Sequence, residues 1–344
     1  MVRLDLSRKE DKVMGVKIAV VNSSSFGKFF PEHRKRLSNL GEVSFFNFPS
    51  DIKGEELASR LVGFSIIIAS VTPYFGKEFF DNKDKTLLIA RHGIGYNNID
   101  IKSATEKGVI VTNVPGFVER ESVAENAVAL LLDVIRNITL SSIRVKEGKW
   151  KERSKSIGSE VKNKTVGIIG FGNIGSRVGE ILKDGLGAKI IAYDPYLNPD
   201  EIQKRGAEPV SLEELLKLSD IISLHAALTP ENYHLLSREK FSLMKKGVII
   251  VNVARGELID TDALIEALKK GIIGAVGLDV IEGEPIDENH PLLKFDNVVI
   301  TPHISAYTYE CLKGMGDKVV SDVEKVLNGI HPANIINPEV LKMR

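Results

Sequence analysis

The sequence predicts an α/β chain of two parallel-sheet domains, each sheet covered by helices on both faces. Three observations predict it. Short β-branched runs recur between polar, helix-permitting stretches, the pattern of parallel strands buried on both faces. They fall into two sets, one before Pro115 and one from Thr165 onward, and a glycine-spaced turn, "GIIGFGNIG" at 167–175, opens the second set. At 344 residues the chain is also longer than a single hydrophobic core usually grows.

The first set of strands is expected at 16–22 (VKIAVVN), 43–48 (VSFFNF), 65–70 (SIIIAS), 86–91 (TLLIAR) and 108–113 (GVIVTN). The segment 121–150 contains no proline and no glycine before Gly148, so it reads as one long helix or two end to end. Six further strands are expected at 165–170, 189–194, 220–225, 247–252, 274–279 and 297–303. Apolar positions at helical spacing in "CLKGMGDKVVSDVEKVLNGI" predict a terminal helix returning to the first domain.

Composition narrows the function. Lys and Arg total 46 and Asp and Glu total 46, so no global field favours nucleic acid or an anionic membrane. Cys311 is the only cysteine, which excludes an internal disulfide framework and a multi-thiolate metal site. No apolar run reaches membrane-spanning length, and "MVRLDLSRKEDK" is charged where a signal peptide is apolar. A cytoplasmic protein with a frayed N-terminal extension is expected, and with no regulatory domain after "ANIINPEV".

The glycine turn follows an apolar strand, precedes the helix-like "SRVGEILKD", and is answered by Asp194 at the end of the next strand. In that context Gly170 permits the tight turn, Gly172 lets backbone approach a pyrophosphate, and Gly175 lets helix pack closely on strand. The helix N-terminus then offers N–H groups and a positive dipole end to phosphate. Asp194 would accept ribose hydroxyls and repel a 2′-phosphate, so NAD is preferred to NADP. Polar residues end the other strands of this half too, at His225, Asn252 with Arg255, Asp279 and His303. Singly each could be a cap or turn residue, but an open α/β sheet binds ligands beyond the carboxyl ends of its strands.

"RHGIGYNNID" (91–100), the glycine turn, "VNVARGELID" (251–260), "VGLDVIEGEP" (276–285) and "ITPHISAYT" (300–308) together resemble the D-isomer-specific 2-hydroxyacid dehydrogenases. The similarity runs from about Val16 to Pro338 in one order and with close spacing. It implies two doubly wound domains, Rossmann-like and flavodoxin-like. An NAD-binding domain, 116–306, would be inserted into a substrate domain made of 1–115 and 307–344.

The resemblance also implies roles. Arg255 matches the arginine that fixes the substrate carboxylate, a task for a planar, permanently charged fork. His303 matches the general acid/base that protonates the carbonyl oxygen as hydride arrives. Glu284 matches its orienting acid, and Asp279 the holder of the nicotinamide carboxamide. Asn173 and Ile174 in the glycine turn, Ala226, Ala227 and Asn232 after the third strand of this half, and Val253 and Ala254 before Arg255 would line the cofactor. The backbone of Ile94 and Gly95 would cap the substrate carboxylate, so that domain closure assembles the site and expels water. No metal is implied, and a homodimer formed through the 121–150 region is.

Departures bear on substrate. Ala227 stands where many relatives have proline, and Asn232 and "ISAYT" look closer to the D-lactate type. Phe117 and Ala306 replace a tyrosine and a bulky aromatic common there, which predicts a pocket wider than lactate needs. Formate dehydrogenases resemble the pattern with glutamine in place of Glu284. The remaining alternative is an NAD-binding corepressor on the same fold. The intact Arg255, Glu284 and His303 favour an enzyme working on a lactate-, glyoxylate/hydroxypyruvate- or 3-phosphoglycerate-type substrate.

Overall fold

The structure, a computed structural model, describes residues 15–342, so the N-terminal extension read from the sequence lies outside the described residues. The chain divides into two compact units, Met1–Glu119 with Thr308–Arg344, and Arg120–Tyr307.

Among its described residues the first unit holds five parallel strands: β1 (Lys17–Val21), β2 (Glu42–Phe46), β3 (Ile66–Ala69), β4 (Leu88–Arg91) and β5 (Ile110–Thr112). Their order is β2-β1-β3-β4-β5, the flavodoxin-like arrangement. β1, β3 and β4 are almost wholly apolar and buried, with one core against each face of the sheet. The terminal helix Tyr309–Leu327 belongs to this unit and is capped at its start by the Thr308 hydroxyl, which accepts from the Cys311 amide. Arg36 clasps it, donating from Nη2 and Nε to the two carboxylate oxygens of Glu324 at 2.8 and 3.0 Å.

Residues from far along the sequence close the β5 edge. Asn337, fully buried, accepts from the Val111 amide at 2.9 Å and donates to the Val109 carbonyl at 2.9 Å. Ile335 bridges Thr112 in antiparallel sense.

The second unit holds seven parallel strands: β6 (Thr165–Ile169), β7 (Lys189–Tyr193), β8 (Glu208–Pro209), β9 (Ile221–Leu224), β10 (Val248–Asn252), β11 (Ile273–Leu278) and β12 (Val298–Ile300). The order β12-β11-β10-β9-β6-β7-β8 reverses direction between β6 and β9, the topological switch point of a dinucleotide-binding sheet. Six strands were expected. The seventh, β8, spans two residues beside Ile191 and Ala192 of β7, too short to show any periodicity.

The helical segment read at 121–150 is two helices, Gly116–Arg136 and Ile138–Lys146. The first begins directly after Pro115, and the boundary between the units falls inside it. The break is Asn137, left-handed at φ 53°, a conformation asparagine tolerates better than most side chains. Asp133 then caps the second helix, accepting from the Thr139 amide at 2.7 Å. Apolar residues of the first helix, from Val123 to Ile135, form one core of this unit with β6 and β7, and a second core covers the opposite face. Among the described residues no helix is long and apolar enough to cross a membrane.

Candidate active site

Strand register gathers the predicted residues. Tyr193, Ile169, Leu224, Asn252, Leu278 and Ile300 form one row across β7, β6, β9, β10, β11 and β12. The residues that follow them, Asp194, Gly170, His225, Val253, Asp279 and Thr301, therefore emerge at one edge, the carboxyl ends of the strands.

At the switch point each glycine has its own steric reason. Gly170 has φ +86°, and a Cβ there would sit 2.5 Å from the Ala226 nitrogen, so the turn and the end of β9 approach within backbone distance. A Cβ on Gly175 would sit 2.0 Å from the Gly170 carbonyl oxygen, which forces glycine where helix Asn173–Glu180 crosses the turn. A Cβ on Gly172 would meet no protein atom within 4 Å. That open cradle adjoins a helix start, at Asn173, Ile174 and Gly175, with no side-chain cap. Uncapped amides beside space that only glycine leaves open fit a dinucleotide pyrophosphate.

Asp194 is half-buried at the end of β7. Its Oδ2 accepts from the Phe171 amide at 2.8 Å and its Oδ1 from the Tyr196 amide at 2.9 Å. Each oxygen keeps acceptor capacity, since a carboxylate has about four lone-pair sites. The acid thus fastens the glycine turn and can still receive ribose hydroxyls.

After β9, burial pushes the His225 imidazole down to about 3, so the ring is neutral. Its Nε2 lies 2.8 Å from the Ser223 hydroxyl. Asn232, expected to line the cofactor, instead folds onto its own loop. It accepts from the Thr229 amide at 2.8 Å and donates to the Ala227 carbonyl at 2.7 Å, bracing the backbone that carries Ala226 and Ala227.

Asn252, fully buried at the end of β10, does similar work for the arginine. Its side chain accepts from the Ala254 amide at 3.0 Å and donates to the Arg255 carbonyl at 2.8 Å, fixing the Val253–Arg255 turn. Arg255 is half-buried and donates from Nη1 to the Ala254 carbonyl at 2.6 Å.

His303 and Glu284 come from loops after different strands. Nδ1 of His303 lies 2.6 Å from Oε1 of Glu284. His303 adopts a left-handed backbone, φ 56°, two residues beyond Thr301.

Asp279 braces the loop that carries His303. It is 1% exposed, and its carboxylate turns into the 301–305 loop. Oδ1 accepts from Thr301 Oγ1 at 2.6 Å and the Ile304 amide at 2.8 Å. Oδ2 accepts from the Ser305 amide at 2.7 Å and the Ser305 hydroxyl at 2.5 Å. These four bonds direct both carboxylate oxygens at the 301–305 loop.

In the first unit, Ile94 is likewise engaged. Its amide donates to Glu119 Oε1 at 2.9 Å, and its carbonyl accepts from Asn113 Nδ2 at 2.6 Å. The amide expected to cap a substrate carboxylate is therefore held by a buried glutamate, and Gly95 is the next position in the loop. Phe117 is 71% exposed.

Two polar groups were missed in the sequence. Ser122 and Asn126 bond to Ser305 from helix Gly116–Arg136, and their signal was a polar i, i+4 pair beside Val123 and Ala127. Glu282 Oε1 accepts from Tyr233 Oη at 2.7 Å and lies 2.8 Å from His234 Nε2, a non-local cluster that no spacing announces.

Comparison with known proteins completes the picture. Residues 128–305 match the family model of the D-isomer specific 2-hydroxyacid dehydrogenase, NAD binding domain. The chain is 39% identical over 313 residues to a glyoxylate reductase of Thermococcus litoralis, covering 89% of this chain and 94% of that one. It is 40% identical over 308 residues to a D-3-phosphoglycerate dehydrogenase of Methanocaldococcus jannaschii, covering 89% of this chain but 58% of that longer one. The crystal structure of a D-lactate dehydrogenase from Aquifex aeolicus, complexed with NAD and lactic acid, matches with a TM-score of 0.81 at 30% identity, covering 93% of this chain and 99% of that one. A glycine cradle at the switch point, an acid after the second strand of its sheet and these matches lead to one assignment: the chain belongs to the D-isomer-specific 2-hydroxyacid dehydrogenase family.

Proposed function

We propose that this dehydrogenase transfers hydride reversibly between NAD(H) and a small 2-oxo acid or D-2-hydroxy acid, with His303 as acid/base and Arg255 as carboxylate anchor. The observation that carries the reading is the 2.6 Å contact between His303 Nδ1 and Glu284 Oε1. A carboxylate only accepts, so Nδ1 bears a proton and donates it to Glu284. Nε2 is then the atom that exchanges a proton with substrate: protonated in imidazolium for reduction, a bare acceptor for oxidation. Nicotinamide, when bound, supplies or removes the hydride. Arg255 contributes a planar fork matched to a carboxylate, which would set the adjacent ketone against His303. Asp194 favours NAD by accepting ribose hydroxyls and repelling a 2′-phosphate.

The first unit is the substrate domain in this reading, and glyoxylate leads the candidate substrates because the Thermococcus litoralis relative is a glyoxylate reductase. The test is turnover of glyoxylate, pyruvate, hydroxypyruvate and 3-phosphohydroxypyruvate with NADH and with NADPH. Turnover of at least one with NADH is expected; none with either cofactor would overturn the reading.

The reading includes a homodimer and a cytoplasmic setting, the latter supported by a single, buried cysteine in the chain. Helix Ile138–Lys146 and the turn Trp150–Ser156 bury none of their residues, and Trp150 and Ile157 are 71% and 81% exposed. Ile138, Ile143 and Val145 are also exposed, so this segment offers apolar side chains suited to contact with a second copy of the chain. Sedimentation should give twice the chain mass, falling to a monomer in Trp150→Glu.

A further inference from the structure

The loop bearing His303 is fastened by a buried polar node. Ser305, 5% exposed, donates from its amide and its hydroxyl to Asp279 Oδ2. The same hydroxyl accepts from Asn126 Nδ2 at 2.8 Å, and the Ser305 carbonyl accepts from Ser122 Oγ at 2.5 Å. Ser122 and Asn126 stand four residues apart on helix Gly116–Arg136, so one helix face meets the loop twice. Asp279 completes the frame from β11. Its backbone carbonyl accepts from the His303 amide at 2.9 Å, and its Oδ1 accepts from Thr301 and Ile304, the residues flanking Pro302 and His303.

This frame explains how His303 keeps a left-handed backbone, which any residue with a Cβ disfavours. The conformation persists because bonds on both sides over-determine it. Ser305 links the two anchors, the carboxylate of β11 and the amide of the helix. A hydroxyl suits that place because it donates to the acid and accepts from the amide at once. Satisfied buried networks of this kind rigidify what they hold.

We propose that Ser305 is a positioning residue for proton transfer, its hydroxyl joining Asp279 to Asn126 so that the loop presents the His303 ring in one orientation. The proposal rests on His303 being the acid/base of the reading above.

The experiment compares Ser305→Ala, Ser305→Thr and His303→Ala, each checked for folding by circular dichroism. Steady-state kinetics give kcat and KM for the 2-oxo acid, and fluorescence titration gives the Kd for NADH. Ser305→Ala breaks one bond to a carboxylate and one to an amide, so kcat should fall about tenfold while the NADH Kd stays within about twofold. Ser305→Thr keeps the hydroxyl and should recover most of the turnover. If Ser305→Ala does not accumulate as folded protein, Asn126→Leu removes the outer bond alone and should lower kcat in the same direction by less. Wild-type kcat in the folded variant, or a loss matched by an equal loss of NADH affinity, would overturn the positioning role. His303→Ala separates the two claims. Turnover lost there but intact in Ser305→Ala sinks the positioning role alone; turnover retained in His303→Ala sinks both.

Discussion

His303 Nδ1 and Glu284 Oε1 lie 2.6 Å apart although 18 residues and one strand separate their loops, so the pair ties the end of β12 to the segment after β11. Glu284→Gln keeps the size and one acceptor oxygen but replaces a charge-assisted bond to the ring with a neutral one. A charge-assisted bond exceeds a neutral one by about 1–2 kcal/mol, so kcat for reduction should drop roughly tenfold with the NADH Kd unchanged. Wild-type kcat in a folded variant would require another partner for the ring.

Gly172 and Gly175 should respond to alanine in different ways. A Cβ on Gly175 would fall 2.0 Å from the Gly170 carbonyl oxygen, so Gly175→Ala must displace the turn and should lower Tm as well as NADH affinity. A Cβ on Gly172 would meet nothing within 4 Å of protein, so Gly172→Ala should keep the wild-type Tm and lose NADH affinity alone. Calorimetry and fluorescence titration of both variants provide the check. Unchanged NADH binding in Gly172→Ala would place the pyrophosphate elsewhere.

Asp194→Ala should raise the KM for NADH and narrow the preference over NADPH. Each lost ribose bond to a charged acceptor accounts for about 1.5–3 kcal/mol. The alanine variant also frees the Phe171 and Tyr196 amides, whereas Asp194→Asn retains an acceptor and should show a smaller rise in KM with a similar narrowing. A wild type that already prefers NADPH contradicts the assignment.

Acid should destabilise the protein through His92 and His225. Burial pushes His92 and His225 down to about 3 each, so both are neutral in the folded chain from pH 6.5 down to near 3. The unfolded chain binds those protons near 6.5, so stability falls as pH drops from about 6.5 toward 3, by up to about 1.4 kcal/mol per pH unit per histidine. His92 is 8% exposed and packs edge-on to Phe26 at 5.3 Å between centroids. His92→Phe should flatten the fall of the urea midpoint between pH 6.5 and 4.5. An unaltered slope would mean that His92 takes up its proton without unfolding.

Strands and glycines were legible because they are local. β-branched runs name strands wherever both faces are buried, and Gly170, Gly172 and Gly175 advertise a turn by spacing alone. The direction of a side chain was not. Asp279 ends a strand as an expected cofactor ligand does, but whether its carboxylate points outward depends on Thr301, Ile304 and Ser305, more than 20 residues away. The same holds for Ile94, whose amide answers Glu119 one helix entry later, and for Asn232, which braces its own loop. β8 escaped because two residues carry no pattern, and the end of helix Gly116–Arg136 because a lone asparagine, with no glycine or proline, makes the break.

The closure of β5 by Ile335 and Asn337 sets an order of events on the ribosome. Residues 120–307 are one uninterrupted stretch, and every strand of their sheet has been synthesised before Thr308 is added. The other sheet has all five strands by Thr112, yet its β5 edge and the face later covered by helix Tyr309–Leu327 stay open until nearly the whole chain is made. The nucleotide-binding half is thus complete in sequence while its older neighbour is still waiting, and the exposed β5 edge is where a nascent chain stalled near residue 300 would pair with the wrong strand.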